Sequence, residues 1–224
     1  SDPLQPSAQR TGFGVALADW ASATVRWDVA AGVDRWAGEG LLGRAGGGVR
    51  MASIGGRLEA RAGADAWLGG RRFATAHVAL HAQSSVDPRG LVLLASAGVE
   101  AATRAAPLDL WPAGDTGHAR STPLRAHPLL DDGRLRVERL GRTLLHGSFE
   151  ARRWWRLAAV VRLAPAVFTD AGRTAGRRGA DPEWDVDTGA GVRLGVAGIP
   201  GLFAVDVARG LRDGATAVSF LYKP

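Results

Sequence analysis

Ala190-Gly191-Val192-Arg193-Leu194-Gly195-Val196 and Phe203-Ala204-Val205-Asp206-Val207-Ala208 place an apolar residue at every second position. Side chains of an extended strand alternate between its two faces, so Ala190, Val192, Leu194 and Val196 share one side, as do Phe203, Val205 and Val207. The other side carries Arg193 between Gly191 and Gly195, and Asp206 between Ala204 and Ala208. A period of two predicts β-strand rather than helix.

The pattern extends in both directions. Val25, Trp27, Val29, Ala31 and Val33 alternate with Arg26, Asp28, Ala30, Gly32 and Asp34; Leu145, Gly147, Phe149 and Ala151 alternate with His146, Ser148 and Glu150. Near the C-terminus Val218, Phe220 and Tyr222 oppose Ala217, Ser219 and Leu221. The spacing predicts an all-β chain of about ten strands, centred near Val15, Val29, Ile54, Ala76, Leu94, Phe149, Val167, Leu194, Val205 and Val218. Gly46-Gly47-Gly48, Asp87-Pro88-Arg89-Gly90 and Arg212-Asp213-Gly214 read as turns of antiparallel hairpins. Two connections are longer, Ala105 to Arg139, between the strands near Leu94 and Phe149, and Thr174 to Asp187. A long connection in a compact domain signals function.

Composition narrows the class. The 224 residues are 46% hydrophobic, enough for a core, and contain no cysteine, which excludes a disulfide scaffold and a thiolate metal site. Formal charge is +6, and of the 28 basic residues only Lys223 is lysine. These charges are scattered among acids rather than gathered into a patch, so no nucleic-acid partner is expected. No apolar run approaches the roughly 18 to 20 residues of a membrane-spanning helix. Ser1 to Pro6 lacks the basic and apolar regions of a signal peptide, which leaves a removed leader or a fragment as the expectation. The chain reads as one domain, 1–224, with 1–10 as an extension.

Alternation is shared by soluble sheets, which hide the apolar face, and by transmembrane barrels, which turn it outward. Charges set among Gly and Ala suit a wet or ion-paired lumen, and tryptophans near strand ends suit an interfacial belt. A soluble β-sandwich with a binding groove is the rival reading.

From about Gly90 onward, five motifs resemble, in order and spacing, the BamA-like (bacterial surface antigen, BamA/TamA) outer-membrane assembly family. Leu124-Arg125-Ala126-His127-Pro128-Leu129-Leu130-Asp131-Asp132-Gly133 is similar to the family's long sixth extracellular loop, whose tip carries an Arg-Gly-aromatic motif. Leu145 to Glu150 resembles the next strand, and Phe168-Thr169-Asp170-Ala171-Gly172 matches Phe-x-Asp-x-Gly in the strand after that. Gly189 to Leu194 and Gly201 to Ala208 resemble the penultimate hairpin. The resemblance implies an antiparallel transmembrane β-barrel in a bacterial outer membrane. Its loop would fold into the lumen with Arg125 against Glu150 and Asp170. Its partners would be outer-membrane lipid and client outer-membrane proteins or assembly subunits. The family role is protein assembly or translocation, with Val218, Phe220 and Tyr222 on the last strand at a weakly paired seam. The alternative readings are the membrane anchor or export barrel of a larger fused enzyme, and a passive pore. Two features depart from the family: Ala126 and His127 stand where it has Gly and an aromatic, and about ten strands are expected in these 224 residues, with no POTRA domain among them, where the family has sixteen strands and such domains. With so few strands, a small closed barrel joining the strands near Val15 and Val218 is expected.

No enzymatic chemistry is predicted. His77 and His81 fall on one strand face, too far apart to share a metal. Asp131-Asp132 and Asp185-x-Asp187 lack a full calcium-ligand pattern. No nucleophile elbow, Walker loop or dinucleotide fingerprint occurs, and no cofactor is expected.

Overall fold

A computed structural model describes residues 10–36, 40–87, 89–116, 124–128, 130–131, 134–135, 140–176 and 183–223. Its main feature is one antiparallel sheet of eleven strands. The first six are β1 (Arg10–Ser22), β2 (Val25–Trp36), β3 (Gly40–Ala52), β4 (Leu58–Leu68), β5 (Phe73–Gln83) and β6 (Gly90–Ala102). The connection to the next sheet strand holds a 3-10 turn (Leu108–Leu110) and four short strands, β7 (Asp115–Thr116), β8 (Leu124–Pro128), β9 (Leu130–Asp131) and β10 (Arg134–Leu135). The sheet continues with β11 (Thr143–Arg156), β12 (Val161–Ala175), β13 (Trp184–Val196), β14 (Leu202–Gly210) and β15 (Thr216–Lys223). Each pairs with its neighbour in chain order, β6 pairing with β11.

The expected ten strands are eleven, because the strand placed near Ile54 is a turn. Ile54 stands 96% exposed between β3 and β4, where Gly55 and Gly56 take φ of +87° and +66°. Gly46-Gly47-Gly48, expected as a turn, lies in the middle of β3. Close approach explains these glycines: a Cβ at Gly47 would sit 2.8 Å from the Asp28 carbonyl, and one at Gly46 would overlap the Asp65 carboxylate. The connection expected from Thr174 to Asp187 shrinks to 176–183, since β12 and β13 extend into it. The long connection spans 103–142, slightly wider than Ala105 to Arg139. Of the expected extension, residues 1–9 lie outside the described residues, and Arg10 already belongs to β1.

Closure within the chain is also corrected. β1 and β15 are the two edges of the sheet, and no backbone pairing joins them among the described residues. All thirteen residues of β1 are exposed on both faces. In a narrow closed barrel one face of that strand would press against lumenal side chains.

The inner face of the sheet is covered over β11–β14 and near the long connection, and the outer face is bare. Asp34, Trp36, Leu42, Trp67, Phe73, Glu150, Phe168, Asp170, Asp187, Arg193 and Asp206 are buried on the inner face. Phe13, Val15, Leu17, Val29, Val49, Val78, Leu93, Phe149, Val167, Val192, Val205, Val218 and Phe220 are exposed on the outer face. Tryptophans divide likewise. Trp155 and Trp184 are exposed on the outer face, whereas Trp36, Trp67 and Trp154 turn inward, and Trp20, in register with Arg26, is exposed on the inner face of β1, so the expected belt of tryptophans is only partial. Trp36, Trp67 and Phe73 pack edge-to-face and stacked around Ala106, with Asp34 accepting from Trp67 Nε1 at 2.6 Å and from Arg10 at 2.7 Å. This cluster ties the long connection to β2–β5.

Candidate functional site

Five consecutive residues of the long connection, β8, lie against the inner face of β12–β15. Leu124, Arg125, Ala126 and His127 are all buried. The Leu124 amide donates to the Gly114 carbonyl at 3.0 Å, and its methyls fill the space over Gly172, where a Cβ would approach to 3.2 Å. Small residues also receive Ala126, which packs with Phe168 and Ala208. A Cβ at Gly210 would lie 2.8 Å from the His127 ring. Extended backbone therefore lies close against the wall wherever the wall presents Gly or Ala.

Arg125 is the centre of the charge network. Its Nη1 donates to Glu150 on β11 at 3.1 Å and to Asp206 on β14 at 3.3 Å, and its Nε is 3.2 Å from Asp170 on β12. Its guanidinium also lies 3.8 Å from the centroid of the Phe168 ring, a cation–π contact. In a flat sheet β11 and β14 would be roughly 14 Å apart, three inter-strand steps. One nitrogen reaching carboxylates on both requires the wall to curve around the loop.

A second guanidinium braces the same carboxylates from the wall. Arg193 on β13 donates from Nε and Nη2 to the two oxygens of Glu150, at 3.0 and 2.6 Å, and from Nη1 to Asp206. This forked geometry orients Glu150 for Arg125. Gly191 makes room for it, since a Cβ there would overlap Asp206 and come within 3.0 Å of Arg193 Nη1. Ser148 donates to Asp170 at 2.6 Å.

Asp187 on β13 holds the loop's backbone, accepting from the Ala126 amide at 2.6 Å. Its other oxygen lies 2.8 Å from His127 Nδ1, a close charge contact. His127 Nε2 meets Asp213, in the turn between β14 and β15, at 3.1 Å. Asp187 first, and then Asp213, raise the His127 pKa above its ordinary value, against the opposing effect of burial.

The structure thus brings together Arg125, Ala126, His127, Glu150, Phe168, Asp170 and Gly172 in one place. It does not bring Val218, Phe220 and Tyr222 there. Val218 and Phe220 face outward on β15, and the Tyr222 hydroxyl donates to the Pro200 carbonyl at 2.5 Å. Of the loop motif, Leu129, Asp132 and Gly133 lie outside the described residues. Sequence reading missed Asp187, Arg193, Asp206 and Asp213 as members of the site. For Arg193 and Asp206 the available signal was a lone charge between glycines or alanines on a strand's polar face; Asp187, with Asp185 beside it on that face, and Asp213, in a turn, carry no such signal. Among the described residues, no group of His, Asp or Glu is arranged to hold a metal ion. No protein-family model matches the chain, and no curated protein matches it.

Proposed function

We propose that the sheet is the wall of a BamA-like transmembrane β-barrel in a bacterial outer membrane, taking part in the assembly or translocation of outer-membrane proteins. One observation carries the membrane reading: the two faces are inverted relative to a soluble sheet. Val192, Val205, Val218 and Phe220 stand 40%, 39%, 60% and 78% exposed, whereas Arg193 and Asp206 are each 1% exposed. In water, an apolar face running across eleven strands would far exceed the few hundred Å² that monomeric soluble proteins expose. Lipid covers it without cost, and a curved wall keeps the charges away from lipid.

The assembly reading rests on the resemblance, and the position of the loop supports it. A sixth extracellular loop in a sixteen-stranded barrel is followed by five strands, and β11–β15 are five. By that register the eleven strands correspond to the last eleven of the sixteen. β15 then lies at the family's seam, where its free backbone groups can pair with a client strand by β-augmentation.

The test is reconstitution into phosphatidylcholine vesicles, some carrying brominated acyl chains. Trp155 and Trp184, on the outer face, are expected to be quenched by bromine, and the vesicles are expected to speed the folding of a small urea-unfolded outer-membrane barrel. A chain that stays monodisperse in buffer and unquenched by lipid would overturn the membrane reading. Client folding no faster than in empty vesicles would overturn the assembly role.

A further inference from the structure

Because successive strands run antiparallel, the turns after β1, β3, β5, β11 and β13 lie at the end of the sheet opposite the long connection. At that end β11 and β12 set Arg156 and Arg162 in direct register. Both continue the inner-face parity of Glu150 and Asp170, both are exposed, and neither forms an ion pair with a carboxylate among the described residues, although Arg162 lies close enough to Asp87 to favour its ionised form. Like charges directly opposite on neighbouring strands repel, so this pairing is unfavourable unless something of opposite charge joins it.

Beside the pair is a cavity of about 350 Å³ lined by Asp87, Arg89, Trp154, Trp155, Arg156 and Arg162. The lining carboxylate, Asp87, is already bound by Arg89 in the turn between β5 and β6, at 2.5 Å. Three guanidiniums against one carboxylate leave the cavity with an excess of positive charge. Trp154 adds an independent sign. It is 7% exposed, packed against Val92 and Ala164, and its Nε1 is buried with no acceptor among the described residues. An indole N–H is a donor only, and burying it unpaired is unfavourable. Behind it, Arg152 lies over the Trp154 ring at 5.5 Å, and its Nε also lacks an acceptor. The cavity is thus rich in donors and cations and poor in acceptors.

We propose that this cavity binds a phosphate-type oxyanion. Arg156 and Arg162 supply the charge, as planar guanidiniums suited to forked contacts with phosphate oxygens, and Trp154 Nε1–H donates to a further oxygen. The cavity is larger than a bare tetrahedral oxyanion, which leaves room for a group esterified to it. The anion has two sources, a free phosphate or the headgroup of an anionic lipid. Trp155, half exposed toward the outer face with Arg153 5.9 Å from its ring, sits where a headgroup would arrive.

The full chain in zwitterionic detergent is titrated with inorganic phosphate by calorimetry. In parallel, retention of phosphatidylglycerol against phosphatidylcholine is measured by native mass spectrometry. The calorimetric arm needs no membrane insertion, so its outcome is separate from that of the membrane reading. Phosphatidylglycerol selectivity with weak phosphate binding assigns the lipid source; saturable phosphate binding without lipid selectivity assigns the free anion. In either case Arg156→Gln with Arg162→Gln is expected to weaken binding by at least about tenfold, these being charge-assisted contacts. Trp154→Phe keeps the ring and removes the donor, with an expected loss of about three- to tenfold. Arg35→Gln, on the outer face of β2, is expected to change nothing. Absence of both kinds of binding, or binding undiminished in the double variant, would overturn the proposal.

Discussion

Replacing Arg125 with Gln tests the loop's anchorage most directly. The guanidinium is 9% exposed and touches carboxylates that are 8%, 0% and 0% exposed, so bulk solvent screens these pairs little. Removing one partner of a buried ion pair costs about 3–5 kcal/mol, because the other charge is left uncompensated. The lower end applies here. Glu150 and Asp206 keep Arg193, and only Asp170 is left with a neutral donor, Ser148. A loss of about 3 kcal/mol raises the population of undocked loop by about a hundredfold, at tenfold per 1.4 kcal/mol. Hydrogen exchange at the Ala126 amide reads that population directly, since its acceptor, Asp187 on the wall, is lost on undocking. Exchange there is expected to accelerate about a hundredfold while the Val192 amide in β13 stays unchanged. Asp170→Asn, which leaves Arg125 two of its three carboxylates, is expected to accelerate it about tenfold and to speed protease nicking around His127. Rates within about threefold of the parent in Arg125→Gln would refute the idea that this ion network docks the loop.

Three further outcomes are expected. Because the folded-state pKa of His127 is raised, its contribution to docking is complete below its ordinary value of about 6.5 and is lost as pH rises through the raised value. Exchange at Ala126, corrected for intrinsic rate, should therefore speed up across that rise, and His127→Gln should abolish the pH dependence; a parent loop indifferent to pH would refute it. Gly191→Ala forces a methyl into the Asp206 carboxylate and the Val205 carbonyl, and should destabilise the wall by about 1–3 kcal/mol, read as a lower melting temperature in detergent. Val205→Arg, on the bare outer face, should cost about 2–4 kcal/mol in lipid, read by urea titration of vesicle-inserted protein; an unchanged midpoint would argue that this face does not meet lipid.

Much of this architecture can be read from local pattern, and the losses have physical causes. The period of two survives along β2, β11, β13 and β14 because each strand has one covered face. Which face is covered was also legible, since only Gly and Ala leave room for charges such as Arg193 and Asp206. β3 was misread because Gly46-Gly47-Gly48 reads locally as a turn, while the need for glycine there comes from Asp28 and Asp65 on neighbouring strands. Arg125, Glu150 and Asp170 were found through motifs. Their companions Asp187, Arg193 and Asp206 lie up to 81 residues from Arg125; the Gly and Ala around Arg193 and Asp206 mark a charge in a tight space but not its partner, which only the fold brings close. Closure failed as an expectation for the same reason: the fate of an edge depends on what lies beside it, which strand patterning does not encode.

The sharing of Glu150 and Asp206 between a loop arginine and a wall arginine makes the wall's electrostatic character conditional. With β8 in place, Arg125 and His127 balance Glu150, Asp170, Asp187 and Asp206 together with Arg193. With β8 withdrawn, four carboxylates on β11–β14 face Arg193 and, at 3.8 Å from Glu150, Arg152. The same surface then becomes an acidic trough whose attraction for cationic side chains falls off with added salt. The loop is thus a removable counterion: its position sets not only the space inside the curve but whether an incoming chain meets a balanced wall or an acidic one.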